Sequence, residues 1–170
     1  MKDSDPRLRS FARITFRDLE RLLELARRDR DEFFAAHRDW AIYADRVLGT
    51  ALCQGAAWHY LRSDIGINDF DVYTFYASHP DRPWYAKRRK SVDFGDPKFG
   101  RSEDSRTEFI GRRVDLMARE LKVLPGTDVA EALVAYLSAP RTRGATELAK
   151  KAVVLLEPRL GEVVWPRKSD

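Results

Sequence analysis

The chain has 170 residues, of which 44% are apolar, 34% charged and 11% aromatic, with a formal net charge of +4. That length and composition suit one soluble domain, residues 1–170, with a core of its own and a surface mildly favouring anions. A single cysteine, Cys53, excludes an intramolecular disulfide and any cysteine-based zinc cluster.

The start of the chain, Met1 to Pro6, lacks the apolar segment of a signal peptide. No apolar run approaches the roughly 20 residues needed to cross a bilayer. A cytoplasmic location is the expectation. The first helix opens at Thr15 and Asp18, which read as a capping box, with Leu19, Leu22, Leu23 and Ala26 as its apolar stripe. Its arginines, Arg17, Arg21, Arg27, Arg28 and Arg30, read as solvated surface. A second helix is predicted over Glu32 to Ala44. Val47 to Cys53 reads as a strand, and Gly55 to Leu61 as a short helix starting just after it. Gly66 turns the chain into a second strand, Ile67 to Tyr76.

Residues 78–108 hold Pro80, Pro83, Pro97, Gly95 and Gly100 amid many charges and read as loop, with room for a short hairpin. Arg112 to Met117 reads as a third strand, with Val114 and Leu116 on one face. Pro125-Gly126 breaks the chain, and Asp128 with Glu131 caps a further helix. A last helix is predicted over Thr146 to Leu156, ended by Pro158. Residues 161–165 read as a closing strand. The core thus spans about 45–125, with N-terminal helices over 15–44 and C-terminal helices over 128–157.

The most informative stretch is Asn68-Asp69-Phe70-Asp71-Val72-Tyr73. Aspartate is depleted in strands, yet two stand two residues apart inside one. Strand alternation puts Asp69 and Asp71 on one face and Phe70 and Val72 on the other. Like charges so placed repel, and a metal ion or a basic ligand compensates for that. The plain alternatives are strand-edge charges with basic partners and, for Asp115, a pair with Arg113 on its own strand face. His59 reads as a structural histidine.

At this strand pair the chain resembles the nucleotidyltransferase superfamily that includes DNA polymerase β, closest to its lincosamide-type and abortive-infection toxin branch. The residues carrying the resemblance are the turn Gln54-Gly55-Ala56-Ala57, the pair Asp69-Phe70-Asp71 and the later strand aspartate Asp115. It covers about residues 47–117. The turn departs from the family's Gly-Ser or Gly-Gly, and Asn68 stands where a basic or hydroxyl residue is usual. The resemblance implies an α/β fold, a minimal mixed sheet flanked by helices. It also implies Mg2+ or Mn2+ held by Asp69, Asp71 and Asp115, which are then the catalytic residues. Magnesium takes oxygen ligands at about 2.1 Å, and two ions roughly 4 Å apart hold a nucleotide and an acceptor hydroxyl. The substrate would be a nucleoside triphosphate. Its phosphates would rest on Gln54, Gly55 and Ala56, where a helix begins. The acceptor is a small molecule, an RNA end or a protein.

Residues 82–119 contain eleven Lys/Arg against six Asp/Glu. Lys87, Arg88, Arg89 and Lys90 are the densest part, flanked by Trp84, Tyr85 and Phe94. Such interleaving suits a triphosphate and base, or a nucleic-acid backbone. Lys87, Arg88 and Arg89 are therefore candidate phosphate ligands. Two other readings stay open: a non-catalytic protein of this fold that binds nucleotide or nucleic acid, and a toxin-like component of a two-protein module.

Overall fold

A computed structural model describes residues 8–84, 88–102 and 107–168. Helix α1, Phe16–Ala36, opens on the expected capping box, in which Asp18 N–H donates to Thr15 Oγ1 and Thr15 N–H to the Asp18 carboxylate. It runs on without a break to Ala36, so the expected second helix is its last turn followed by a short 3-10 helix, Arg38–Tyr43. Strand β1, Val47–Cys53, leads directly into α2, Gln54–Arg62. Strand β2, Phe70–Ala77, follows.

The region expected to be loop carries an edge strand, β3, Arg89–Asp93, and a 3-10 turn, Pro97–Phe99. Strand β4 is Arg113–Leu121, α3 is Val129–Ser138 and α4 is Arg143–Ala149. The predicted last helix ends there. Ala152–Glu157 is strand β5, and Val163–Trp165 is β6. The reason lies in Ala152-Val153-Val154-Leu155-Leu156. β-branched residues favour a strand, and all five side chains are buried, whereas a surface helix would expose one face.

The six strands form one mixed sheet in the order β3-β4-β2-β1-β5-β6. The β2–β4 pair is parallel and the other neighbours are antiparallel. Helices cover both faces. Leu19, Leu22 and Ala26 of α1 and Ala56 and Ala57 of α2 pack with Leu52, Val72, Val114 and Val154. Val129, Leu133 and Leu137 of α3 and Leu148 of α4 pack with Ala51, Phe75, Leu121 and Leu155 on the other. An α/β sheet flanked by helices is what the sequence led one to expect. Gly49 permits the closest approach in it, since a Cβ there would lie 2.7 Å from the Glu157 carbonyl oxygen. Among the described residues, no helix is long and apolar enough to cross a membrane.

Candidate active site: a carboxylate row held by arginines

Asp71 and Asp115 face each other in register across the parallel β2–β4 pair. Side chains of registered partners lie on the same face of a sheet. The register continues outward on both sides, from Asp115 to Ser91 of β3 and from Asp71 to Cys53 of β1. Asp69, immediately before β2, joins the group through Arg113. That guanidinium donates to Asp69 Oδ2 at 2.9 Å, and its Nε lies 3.3 Å from Asp115 Oδ1. The structure therefore brings the three expected carboxylates together on one face, within the span of a single arginine.

Their partners are unequal. Asp115 is 1% exposed and fully engaged, with Arg89 Nη2 at 2.5 Å and Ser91 Oγ at 2.6 Å. Asp69 has one oxygen, Oδ1, buried without a full hydrogen bond, although Ser102 also hydrogen-bonds its carboxylate and favours the ionised form. Asp71 has no hydrogen bond or ion pair among the described residues. Burial is the main cause that pushes its carboxyl up to about 7, and the charges of Asp115 and Asp69 add to it. Arg89 and Arg113 oppose that shift without cancelling it. Burial also raises Asp69, against the pull of Arg113.

Among the described residues, no group of three or more His, Cys, Asp or Glu side chains is arranged to hold a metal ion. The donor set explains why. Asp115 has given both oxygens to Arg89, Ser91 and Arg113, and Asp69 is engaged by Arg113 and Ser102, which leaves the Asp71 carboxylate as the least committed of the three. Hard oxygen donors of this kind suit magnesium or manganese. Asp69 and Asp71 would be the ligands of such a cation, and Asp115 would join them only once its arginines let go.

The expected phosphate ligands scatter. Gln54 itself takes the left-handed conformation at the strand–helix turn, with φ 61°. That conformation is uncommon for a residue other than glycine. Gly55 does not need its missing side chain, because a Cβ there would meet nothing nearer than Lys151 Nζ at 3.9 Å. Gly55 and Ala56 form the first turn of α2, beside the end of β1. Arg88 is not free for phosphate. Its guanidinium makes two hydrogen bonds to Asp29 of α1, at 2.8 and 2.7 Å, and lies over the Phe33 ring. Lys90 pairs with Asp29 and Glu32. Strand alternation divides the cluster, sending Arg88 and Lys90 to α1 and Arg89 to Asp115. Lys87 and Tyr85 lie outside the described residues. Trp84 and Phe94 are buried in the core rather than displayed beside the basic residues.

Several partners were not foreseen. Arg89 and Ser91 act on Asp115 through a strand pairing that spacing along the chain does not reveal. Arg119, on the same face of β4, was not singled out. Its position two residues past Met117 on the Asp115 face was the available signal. His59 is structural, as read: its Nδ1 accepts from Gly66 N–H and its Nε2 meets the Ala12 carbonyl. Cys53 is buried, and burial together with the nearby Asp71 pushes its thiol upward. Comparisons with known protein families, with curated proteins and with solved structures find no match for this chain.

Proposed function

We propose that this chain is a metal-dependent nucleotidyltransferase, moving a nucleoside monophosphate from a nucleoside triphosphate to a hydroxyl acceptor. The observation that carries the reading is the registered Asp71–Asp115 pair, with Asp69 tied to it through Arg113. A folded chain gains nothing in stability by burying three carboxylates side by side and leaving one unpaired. A site that must take a cation has a reason to do so. Asp69 and Asp71 would hold the cation. Bound there, it would neutralise charge on the phosphates and lower the pKa of the acceptor hydroxyl. Asp71 supplies the free carboxylate. Arg113 keeps Asp69 and Asp115 aligned. Arg89, more than half exposed, is placed to leave Asp115 for an incoming phosphate.

A second reading has its own observation. Arg89, Ser91 and Arg113 together satisfy Asp115, as a fold that binds nucleotide without turning it over requires no more of that residue. Two measurements separate the two. Millimolar magnesium or manganese raises the melting temperature of the wild type, because a ligand that binds only the folded state stabilises it. Asp71→Asn abolishes that response. Labelled-nucleotide transfer is lost in Asp69→Asn with Asp71→Asn. Transfer that survives the double substitution refutes the metal mechanism. A wild type with neither a metal response nor transfer leaves the non-catalytic reading.

A further inference from the structure

We propose that Arg119 anchors the triphosphate of the nucleotide, an inference that rests on the reading above that this face takes a nucleoside triphosphate. Alternation along β4 places Arg113, Asp115, Met117 and Arg119 on one face. The other two arginines shown on this face, Arg89 and Arg113, are paired with Asp115 and Asp69. Arg119 is half-buried and has no carboxylate partner among the described residues.

It is nevertheless held in place. Its guanidinium lies 5.3 Å from the centroid of the Tyr73 ring, and Nη1 donates to the Tyr136 hydroxyl at 3.1 Å. Gly144, at the start of α4, completes the slot, since a Cβ there would overlap the guanidinium. Arginine has five N–H donors in a rigid fork, and one is used here. A positioned, partly desolvated guanidinium without a counter-charge is suited to an anion with paired oxygens, and phosphate fits that fork.

The setting indicates an extended anion. Arg119 stands four residues beyond Asp115, about 13 Å along the strand. Tyr73 pairs with Met117, midway between them. The arginine's head lies beside the Tyr73 ring. A chain of phosphoryl groups held at the Arg119 fork would run along this face toward Asp71. Arg88 and Lys90 are already committed to α1.

Inorganic tripolyphosphate titrated in EDTA tests the anchor apart from the metal. The wild type binds it, and Arg119→Gln weakens binding by about tenfold or more, the loss of a charge-assisted contact. Gly144→Ala has a similar effect with no change of charge, because the new methyl displaces the guanidinium. Arg119→Lys restores part of the binding. Asp71→Asn, which ends the metal reading, keeps it. ATP competes with tripolyphosphate and a single-stranded oligonucleotide does not. On the wild type, tripolyphosphate protects Arg119 from phenylglyoxal, read by peptide mass spectrometry, so the outcome does not depend on any variant folding. Absence of tripolyphosphate binding, unchanged binding in Arg119→Gln, no protection of Arg119, or better competition by the oligonucleotide than by ATP each overturns the proposal.

Discussion

Burial makes Asp71 sensitive to pH. A free aspartate titrates near 3.8, whereas the folded Asp71 titrates near 7, chiefly through burial and then through its acidic neighbours. At pH values below about 4 the carboxyl is neutral in both the folded and the unfolded chain, and its burial carries no charge penalty. Between about 4 and 7 the folded chain retains a proton that the unfolded chain releases, so stability falls as the pH rises. Above about 7 the whole penalty is present. At about 1.4 kcal/mol per pKa unit, that penalty amounts to a few kcal/mol. Asp71→Asn removes it. The variant should exceed the wild type in stability by about 2–4 kcal/mol at pH 8 and match it near pH 4, as read by urea unfolding across that range. A difference that stays constant with pH would show that Asp71 titrates as an ordinary aspartate. The placement of this residue was legible in the sequence, because period-two alternation assigns Asp69 and Asp71 to one face whatever else the chain does. Its lack of a counter-charge was not. That depends on Arg113 and Arg89 choosing Asp69 and Asp115, a choice made by cross-strand register.

Among the elements, β3 is the one most dependent on distant contacts. It is an edge strand of five residues, and its sheet contacts are with β4 alone. Helix α1 supplies what the sheet does not. Asp29 takes Arg88 and Lys90, Asp18 takes Lys98 at 2.6 Å, and Arg21 donates to the Phe94 carbonyl. Of the arginines of α1, Arg17, Arg27 and Arg28 are exposed as expected, whereas Arg21 and Arg30 are partly buried. Arg27 and Arg30 both bind Glu157, at the end of β5. None of these partnerships is local, so helical periodicity could mark the polar face of α1 but not what it faces. The Asp29–Arg88 pair is mostly buried, with side chains 7% and 16% exposed. Removing one partner of such a pair costs about 3–5 kcal/mol, whereas an exposed pair costs less than about 1 kcal/mol. Asp29→Ala should fall in the first range. It should also speed hydrogen exchange at the amides of β3, since the strand loses its tie to α1. A loss below about 1 kcal/mol with unchanged exchange would make the pair surface decoration. Because β3 carries Arg89 and Ser91, the same substitution should loosen the grip on Asp115.

The whole molecule is organised by one row that crosses all six strands: Ser91, Asp115, Asp71, Cys53, Val153 and Trp165, each registered with the next. The polar half of the row is the candidate site, and the apolar half is core. β1, β2, β4 and α3 were legible because each shows its own period and its own breaks. Strand order was not, because β5 reaches β1 from about a hundred positions further along the chain, and no local pattern encodes that return. The same return explains the misread segment 152–156. A strand enclosed on both faces is apolar throughout and so loses the alternation that identifies strands. This makes β5 testable as an interior strand. Leu155 belongs to the core under α3 and α4, and Leu156 to the core under α1 and α2. Both are almost wholly buried. Leu155→Ala and Leu156→Ala should therefore each cost about 2–5 kcal/mol, as buried leucines do. Leu124→Ala, at a site 79% exposed, should stay within about 0.5 kcal/mol. Neither core variant should shift the metal response, since both sit away from Asp69 and Asp71. Two neighbouring residues that are both costly, each in a separate core, require a strand covered on both sides. If either leucine behaves like Leu124, β5 is an edge or a surface segment, and Cys53 and Asp71 lose the neighbour that encloses their row.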